Sequence, residues 1–210
     1  MQVNSVLFDL DGTLLDTAGD LARALNAILR KSNRPPIPVE HVRPVAGFGY
    51  RGLLKLAGLK PAAGKEILEE YQNHLLDSTA LFPGMSDVLT HLDHQKIPWG
   101  IVTNKPERFT SKIVEGLGLG KRAACVISGD SLENCKPHPE PIFHACKLMQ
   151  REPENCLFIG DSEIDILASQ AAGALSLVAL YGYIPDGIDP LTWGATGAIR
   201  HPSEILGWIR

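Results

Sequence analysis

The stretch Val6-Leu7-Phe8-Asp9-Leu10-Asp11-Gly12-Thr13-Leu14-Leu15-Asp16 decides how the rest of the chain is read. Three apolar residues run into a carboxylate, and a second carboxylate follows two positions later. The apolar run reads as a strand buried on both faces, as in a parallel sheet. Side chains alternate along a strand, so Asp9 and Asp11 are expected on one side, at the C-terminal end that Gly12-Thr13 breaks. That end is where open α/β sheets bind ligands. Two carboxylates so close repel each other and call for a cation, a shared proton, or both. Mg²⁺ suits a few oxygen ligands together with a substrate phosphate. One aspartate is then placed to attack phosphorus, and the other to handle the leaving-group proton and activate water.

The 210 residues are 44% hydrophobic, which suits one core-forming domain with an insertion or two small domains. The formal net charge is −4 and no basic cluster marks a nucleic-acid surface. The most apolar window, residues 171–184, is broken by Gly173 and Gly182 and is too short to span a bilayer. The first strand is expected almost at the start of the sequence, and no secretory leader is expected. Cys125, Cys135, Cys146 and Cys156 form no CxxC pair and read as reduced thiols. A cytoplasmic protein with no membrane or nucleic-acid partner is expected, as a monomer or homodimer. His91 and His94 share a helix face, read as a solvated one.

Beyond the first strand, a helix is expected from Thr17 to Lys31, opened by a loose capping box at Thr17-x-x-Asp20. Asn33-Arg34-Pro35-Pro36-Ile37-Pro38 ends it. Residues 38–81 show no strand pattern. A short helix after Val39, a glycine-rich turn at Gly47-Phe48-Gly49-Tyr50-Arg51-Gly52 and a helix from Ala62 to Ser78 are expected there. From Leu81 onward strands and helices alternate to a closing helix over Pro202 to Ile209, which argues for a doubly wound parallel sheet. The expected division is a Rossmann-like α/β core from residues 1–16 and 82–210, with 17–81 inserted as a helical cap.

Further polar residues fall just past strands or at helix starts. Thr103 follows Gly-Ile-Val, Lys136 precedes Pro137, and Asp161 follows Cys-Leu-Phe-Ile-Gly with Asp165 four positions on. Each has a plain reading: Thr103 and Asp161 as helix caps, Lys136 as an exposed lysine. Together they suit a phosphate. A hydroxyl and a helix N-terminus donate to phosphoryl oxygens, a lysine offsets charge, and Asp161 completes a metal site with Asp9. Asp165 either orients metal waters or holds Lys136.

This set resembles the haloacid dehalogenase superfamily in its phosphatase branch. Asp9-x-Asp11-Gly-Thr stands for the first motif, Thr103 for the second, Lys136 for the third, and Gly160-Asp161 with Asp165 for the fourth. The resemblance implies a Rossmann-like core, Mg²⁺ dependence and a C1-type helical cap. It implies Asp9 as nucleophile, Asp11 as general acid/base, and Thr103 and Lys136 as phosphate ligands. It also implies a metal site at Asp9, the Asp11 main-chain carbonyl and Asp161. Thr103-Asn104-Lys105-Pro106, Lys136-Pro137-His138-Pro139-Glu140-Pro141 and Tyr181-Gly182-Tyr183 look like the phosphoglycolate phosphatase-like group. Asp186 to Trp193 with Gly194-Ala195 is similar to the C-terminal region of N-acetylmuramic acid 6-phosphate phosphatases.

The expected activity is phosphomonoester hydrolysis on a small metabolite through an aspartyl-phosphate, with 2-phosphoglycolate or N-acetylmuramic acid 6-phosphate as the expected substrate. A sugar-phosphate mutase of the β-phosphoglucomutase type keeps the same motifs. A non-catalytic phosphate-dependent binding protein is the alternative from another class. Asp11 argues against a halidohydrolase. Substrate choice is assigned to the cap, where Arg51 in the glycine-rich segment is a candidate for a carboxylate or sugar oxygen. Asn104 is a substrate-binding candidate beside Thr103, and Lys105 is a further one. Tyr181 and Tyr183 either border the pocket or pack.

Overall fold

The computed structural model describes residues 3–209. In chain order it contains β1 (Ser5–Phe8), β2 (Leu15–Asp16), α1 (Ala18–Lys31), α2 (Val39–Ala46), α3 (Gly49–Ala57), α4 (Ala63–Asn73) and β3 (Ala80–Leu81). Then follow α5 (Met85–His94), β4 (Trp99–Val102), α6 (Glu107–Gly116), β5 (Cys125–Ile127), α7 (Glu140–Met149), β6 (Cys156–Gly160), α8 (Glu163–Ala172), β7 (Leu175–Ala179) and β8 (Gly197–Ile199). The six longer strands form one parallel sheet in the order β5-β4-β1-β6-β7-β8.

Both faces of this sheet are covered, which is why its strands read as unbroken apolar runs. Val6 and Phe8 join one buried cluster with residues of α5 and α6, while Leu7 joins a second with residues of α7 and α8. β6 alternates likewise, with Leu157 and Ile159 on the first side and Phe158 on the second. The chain leaves β1 toward β4 and β5, then returns to place β6 on the other side of β1. Strand order thus reverses at β1, and the crevice beyond its C-terminal end is the natural ligand site.

Helices α1 to α4 pack on one another, α1 against α2 and α4, and α2 against α3. The two chain passages into and out of this block are tied by the antiparallel ribbon β2–β3, with Leu15 opposite Leu81. The apolar cluster is continuous from the sheet into the block through Leu21, Leu25 and Ile28.

Several local expectations are corrected. The turn expected over Gly47 to Gly52 is largely helical, because α3 begins at Gly49. Its Leu53, Leu54 and Ala57 are buried, and a Cβ at Gly52 would strike the Val45 carbonyl, so the glycine serves close approach of α2 and α3. The helix expected to reach Ser78 stops at Asn73, with Leu76 in the left-handed region at φ 73°. A two-residue strand, β3, lies in the region read as strandless. The closing segment Pro202–Trp208 is a 3₁₀-helix, its buried Pro202 and Ile205 spaced by that helix's three-residue period. Positions 1, 2 and 210 of the expected core lie outside the described residues.

Candidate active site

Asp9 stands one residue past β1, its amide donating to the Ile159 carbonyl at 2.8 Å, so its position is set by β6 pairing. Lys136 reaches it from the loop before α7. The lysine is 3% exposed, and its Nζ donates to Asp9 Oδ1 at 2.7 Å, the Val102 carbonyl at 2.8 Å and Asp165 Oδ1 at 2.6 Å. All three N–H groups are therefore used, and the exposed-lysine reading is excluded. The flanking carboxylates raise the Lys136 pKa against the opposing effect of burial, so it stays charged.

Asn104 fixes this lysine from behind. Its Oδ1 accepts from the Lys136 amide at 3.0 Å and its Nδ2 donates to the Lys136 carbonyl at 2.8 Å. Thr103 lies buried at the end of β4, its Oγ1 accepting from the Lys105 amide at 3.1 Å. It does not cap a helix, since α6 begins only after Pro106.

Asp161 does not cap α8 either. That role belongs to Ser162, whose amide and hydroxyl both donate to Asp165 Oδ2, at 3.1 and 2.5 Å. Asp161 instead turns inward, accepting from Thr13 Oγ1 at 3.0 Å and from the Tyr183 amide at 2.7 Å. A Cβ on either Gly12 or Gly182 would collide with its side chain, so both glycines keep space for it. Gly12 also sits at φ 86°, a conformation that side chains disfavour.

Asp9, Asp161 and Asp165 bring carboxylate oxygens within 4.8 Å of one another. One ammonium, Lys136, faces three carboxylates. Burial pushes Asp9 up to about 7, with Lys136 pulling it down and Asp165 pushing it further up. Burial, then the charges of Asp9 and Asp165, push Asp161 well above the usual carboxylate range. Such a set fits a hard divalent cation, which would remove the repulsion. Asp9 Oδ2 accepts no hydrogen bond among the described residues, and Asp161 has lone pairs to spare. Asp165 has both oxygens engaged by Lys136 and Ser162, so of its two expected roles the structure favours holding the lysine.

Asp11 has its own cation. Lys105 Nζ lies 2.8 Å from both carboxylate oxygens, and Thr17 Oγ1 donates to Oδ1 at 2.6 Å. The capping box read at Thr17-x-x-Asp20 is thereby dismantled. Thr17 serves Asp11, and Asp20 accepts from residues 76–79. Tyr183 Oη accepts from the Thr17 and Ala18 amides and donates to Asp16, while Tyr181 Oη donates to the Thr13 carbonyl. Both tyrosines thus hold the loop after β1. Arg51 lies apart from this network. It is exposed on α3, its guanidinium 5.9 Å from the Tyr50 ring centre, and among the described residues it pairs with no carboxylate. An open depression on α1 and α4, lined by Arg23, Arg30, Lys31, Glu70 and His74, contains none of these groups.

A doubly wound parallel sheet with paired aspartates after its first strand, a buried lysine against the first of them and a further aspartate after β6 defines a class of α/β hydrolases. The chain belongs to the haloacid dehalogenase-like hydrolase family, whose model matches residues 6–179. It is 38% identical over 98% of its length to an N-acetylmuramic acid 6-phosphate phosphatase of Pseudomonas putida, covering 95% of that protein. It is 39% identical over 96% of its length to a phosphoglycolate phosphatase of Xanthomonas campestris pv. campestris, covering 94% of it. Among solved structures, that of a predicted phosphoglycolate phosphatase from Haemophilus somnus superposes with a TM-score of 0.84. The two are 28% identical, with 99% of this chain and 98% of that one covered.

Proposed function

We propose that the protein is a Mg²⁺-dependent phosphomonoesterase for a small phosphorylated metabolite, working through an aspartyl-phosphate. The observation that carries this reading is the half-buried Asp9 carboxylate, oriented by Lys136 on one oxygen and without a hydrogen bond on the other among the described residues. The names of the relatives support it, with 2-phosphoglycolate and N-acetylmuramic acid 6-phosphate as the leading substrates.

In the first step Asp9 Oδ2 attacks phosphorus, the ester oxygen departs, and Asp11 supplies its proton. In the second, Asp11 takes a proton from water, which attacks the aspartyl-phosphate at phosphorus and releases inorganic phosphate and free Asp9. Thr103 donates its hydroxyl to a phosphoryl oxygen, and Lys136 holds Asp9 in line. Asn104 acts as a positioning residue for Lys136, with one amide N–H left for the substrate. Asp9, Asp161 and the Asp11 main-chain carbonyl would hold Mg²⁺, which would supply positive charge for the phosphoryl oxygens. No hydrogen bond is donated to that carbonyl among the described residues. Residues 17–81 act as the cap that excludes water from the reacting centre.

Among the described residues no helix is long and apolar enough to cross a membrane. The test is kcat/KM with and without Mg²⁺ on 2-phosphoglycolate, N-acetylmuramic acid 6-phosphate, hexose phosphates and an aryl phosphate, with Asp9→Asn as blank. Mg²⁺-dependent phosphate release that Asp9→Asn abolishes is expected. An isomerised product without free phosphate would instead make the protein a mutase, and binding without turnover a sensor.

A further inference from the structure

We propose that Lys105 and Tyr71 form the receptor for the substrate's leaving group and select one that bears a carboxylate. This rests on the phosphomonoesterase reading, because it takes Asp11 as the group that meets the leaving oxygen.

Lys105 is a nearly buried ammonium, its side chain 7% exposed. Two of its N–H groups go to Asp11, and the third closes no hydrogen bond among the described residues, although Tyr71 lies close enough to join Asp11 in raising the Lys105 pKa against the effect of burial. Its Nζ stands 4.9 Å from the centre of the Tyr71 ring, and that ring packs edge-on against Phe109 at 5.4 Å. Tyr71 comes from α4, across the boundary between the helical block and the sheet. It is 2% exposed, and its hydroxyl has no hydrogen-bond partner among the described residues.

Buried hydroxyls are nearly always paired, so an orphan beside a buried ammonium points to a ligand atom. The two groups are donors of matched kind: one charged N–H, one phenolic O–H. A carboxylate offers two acceptor oxygens and a full negative charge, whereas a neutral hydroxyl offers one oxygen and no charge. The pair is separate from the phosphate machinery, where Lys136 has no N–H to spare. It also lies beside Asp11, the residue assigned above to the departing oxygen. In this conformation α4 covers the pair. The leaving group enters as the block moves off the sheet and is gripped when Tyr71 returns. Selection by paired donors of this kind is stronger than selection by an apolar wall, because a substrate lacking the carboxylate leaves those donors without their acceptors. The role assigned to Arg51 from sequence passes to these two residues.

The experiment compares two pairs of esters that differ by one carboxylate. They are N-acetylmuramic acid 6-phosphate against N-acetylglucosamine 6-phosphate, and 2-phosphoglycolate against 2-hydroxyethyl phosphate. The full chain with saturating Mg²⁺ is used as wild type, Tyr71→Phe and Lys105→Met. Tyr71→Phe removes only the orphan oxygen, so its fold is the safer of the two. In at least one pair, wild type should favour the carboxylate member. Tyr71→Phe should cut that preference by about 10-fold, through KM, and Lys105→Met by more. Equal losses on both members of each pair would overturn the proposal and leave the phosphatase reading standing, as would a wild type that prefers the neutral esters. No Mg²⁺-dependent phosphate release from any ester, an aryl phosphate included, would overturn both.

Discussion

Lys136 Nζ lies 2.6 Å from Asp165 Oδ1 and 2.7 Å from Asp9 Oδ1, so one buried ammonium joins the residue after β1 to the first turn of α8. Asp165 is fully buried and also anchors Ser162, which makes it the fixed post from which the lysine reaches Asp9. Asp165→Asn keeps the shape and removes the charge. Breaking one partner of a buried pair costs about 3 kcal/mol, and a displaced Lys136 should lower kcat on an aryl phosphate by about 100-fold. Urea denaturation and steady-state kinetics check both. A variant with normal stability and normal kcat would mean that Lys136 is held by Asp9 and the Val102 carbonyl alone.

The crowding of Asp9 and Asp161 gives the metal-free protein a pH dependence with a definite sign. Burial raises Asp9 from 3.8 to about 7, and Asp161 moves in the same direction. The folded chain therefore binds protons that the unfolded chain has released, and stability falls as pH rises from about 4 to about 7. Lys136, raised above its ordinary 10.5, keeps its full contribution throughout that window. Mg²⁺ removes the repulsion, so the increase in Tm on adding it should grow between pH 5 and pH 7.5. In Asp9→Asn, the fall in metal-free Tm across the window should be shallower. Calorimetry in EDTA and in Mg²⁺ across this range decides it, and a pH-independent Mg²⁺ effect would sink the assignment of these carboxylates.

Gly182 tests the metal position without replacing a ligand. A methyl group there would meet the Asp161 Cβ and the Gly12 carbonyl, one residue past the Asp11 carbonyl of the candidate cation site. Gly182→Ala should raise the Mg²⁺ concentration needed for half-maximal activity by about 10- to 100-fold, the scale seen when support around a metal ligand is lost. At saturating Mg²⁺ much of kcat should return. An unchanged Mg²⁺ requirement would show that Asp161 is not fixed by this contact.

What could be read from sequence follows the range of the physics involved. The sheet was legible because burial on both faces writes apolar runs such as Val6 to Phe8 and Cys156 to Ile159. The carboxylates were legible because they fall where such runs end. The pairing of Lys105 with Asp11, 94 residues apart, leaves no periodic trace. Nor does the orphan hydroxyl of Tyr71, which reads as one apolar position on a helix. The ribbon β2–β3 is two residues long on each side, below the length at which alternation can be seen. At Thr17 and Asp20 local chemistry pointed the wrong way, because tertiary partners outbid the helix N-terminus for both side chains.

Asp20 is where that competition carries a measurable consequence. Its carboxylate is fully buried and accepts five hydrogen bonds. They come from the amides of Leu76, Ser78 and Thr79 at 3.1, 2.8 and 3.1 Å, and from the Ser78 and Thr79 hydroxyls at 2.6 Å each. One side chain at the entry to the helical block therefore holds the segment by which the chain leaves it. Asp20→Ala strands those donors, at a cost of about 3 kcal/mol even after water reaches some of them. Amide exchange at residues 76–79 should accelerate well beyond that of the sheet, because the loss is local. If residues 17–81 close over the site as a unit, kcat and KM should shift together, as expected for a hinge distant from the chemistry. A loss below about 0.5 kcal/mol, within the range of ordinary surface changes, would mean that packing of α1 on α4 holds the two passages together without Asp20.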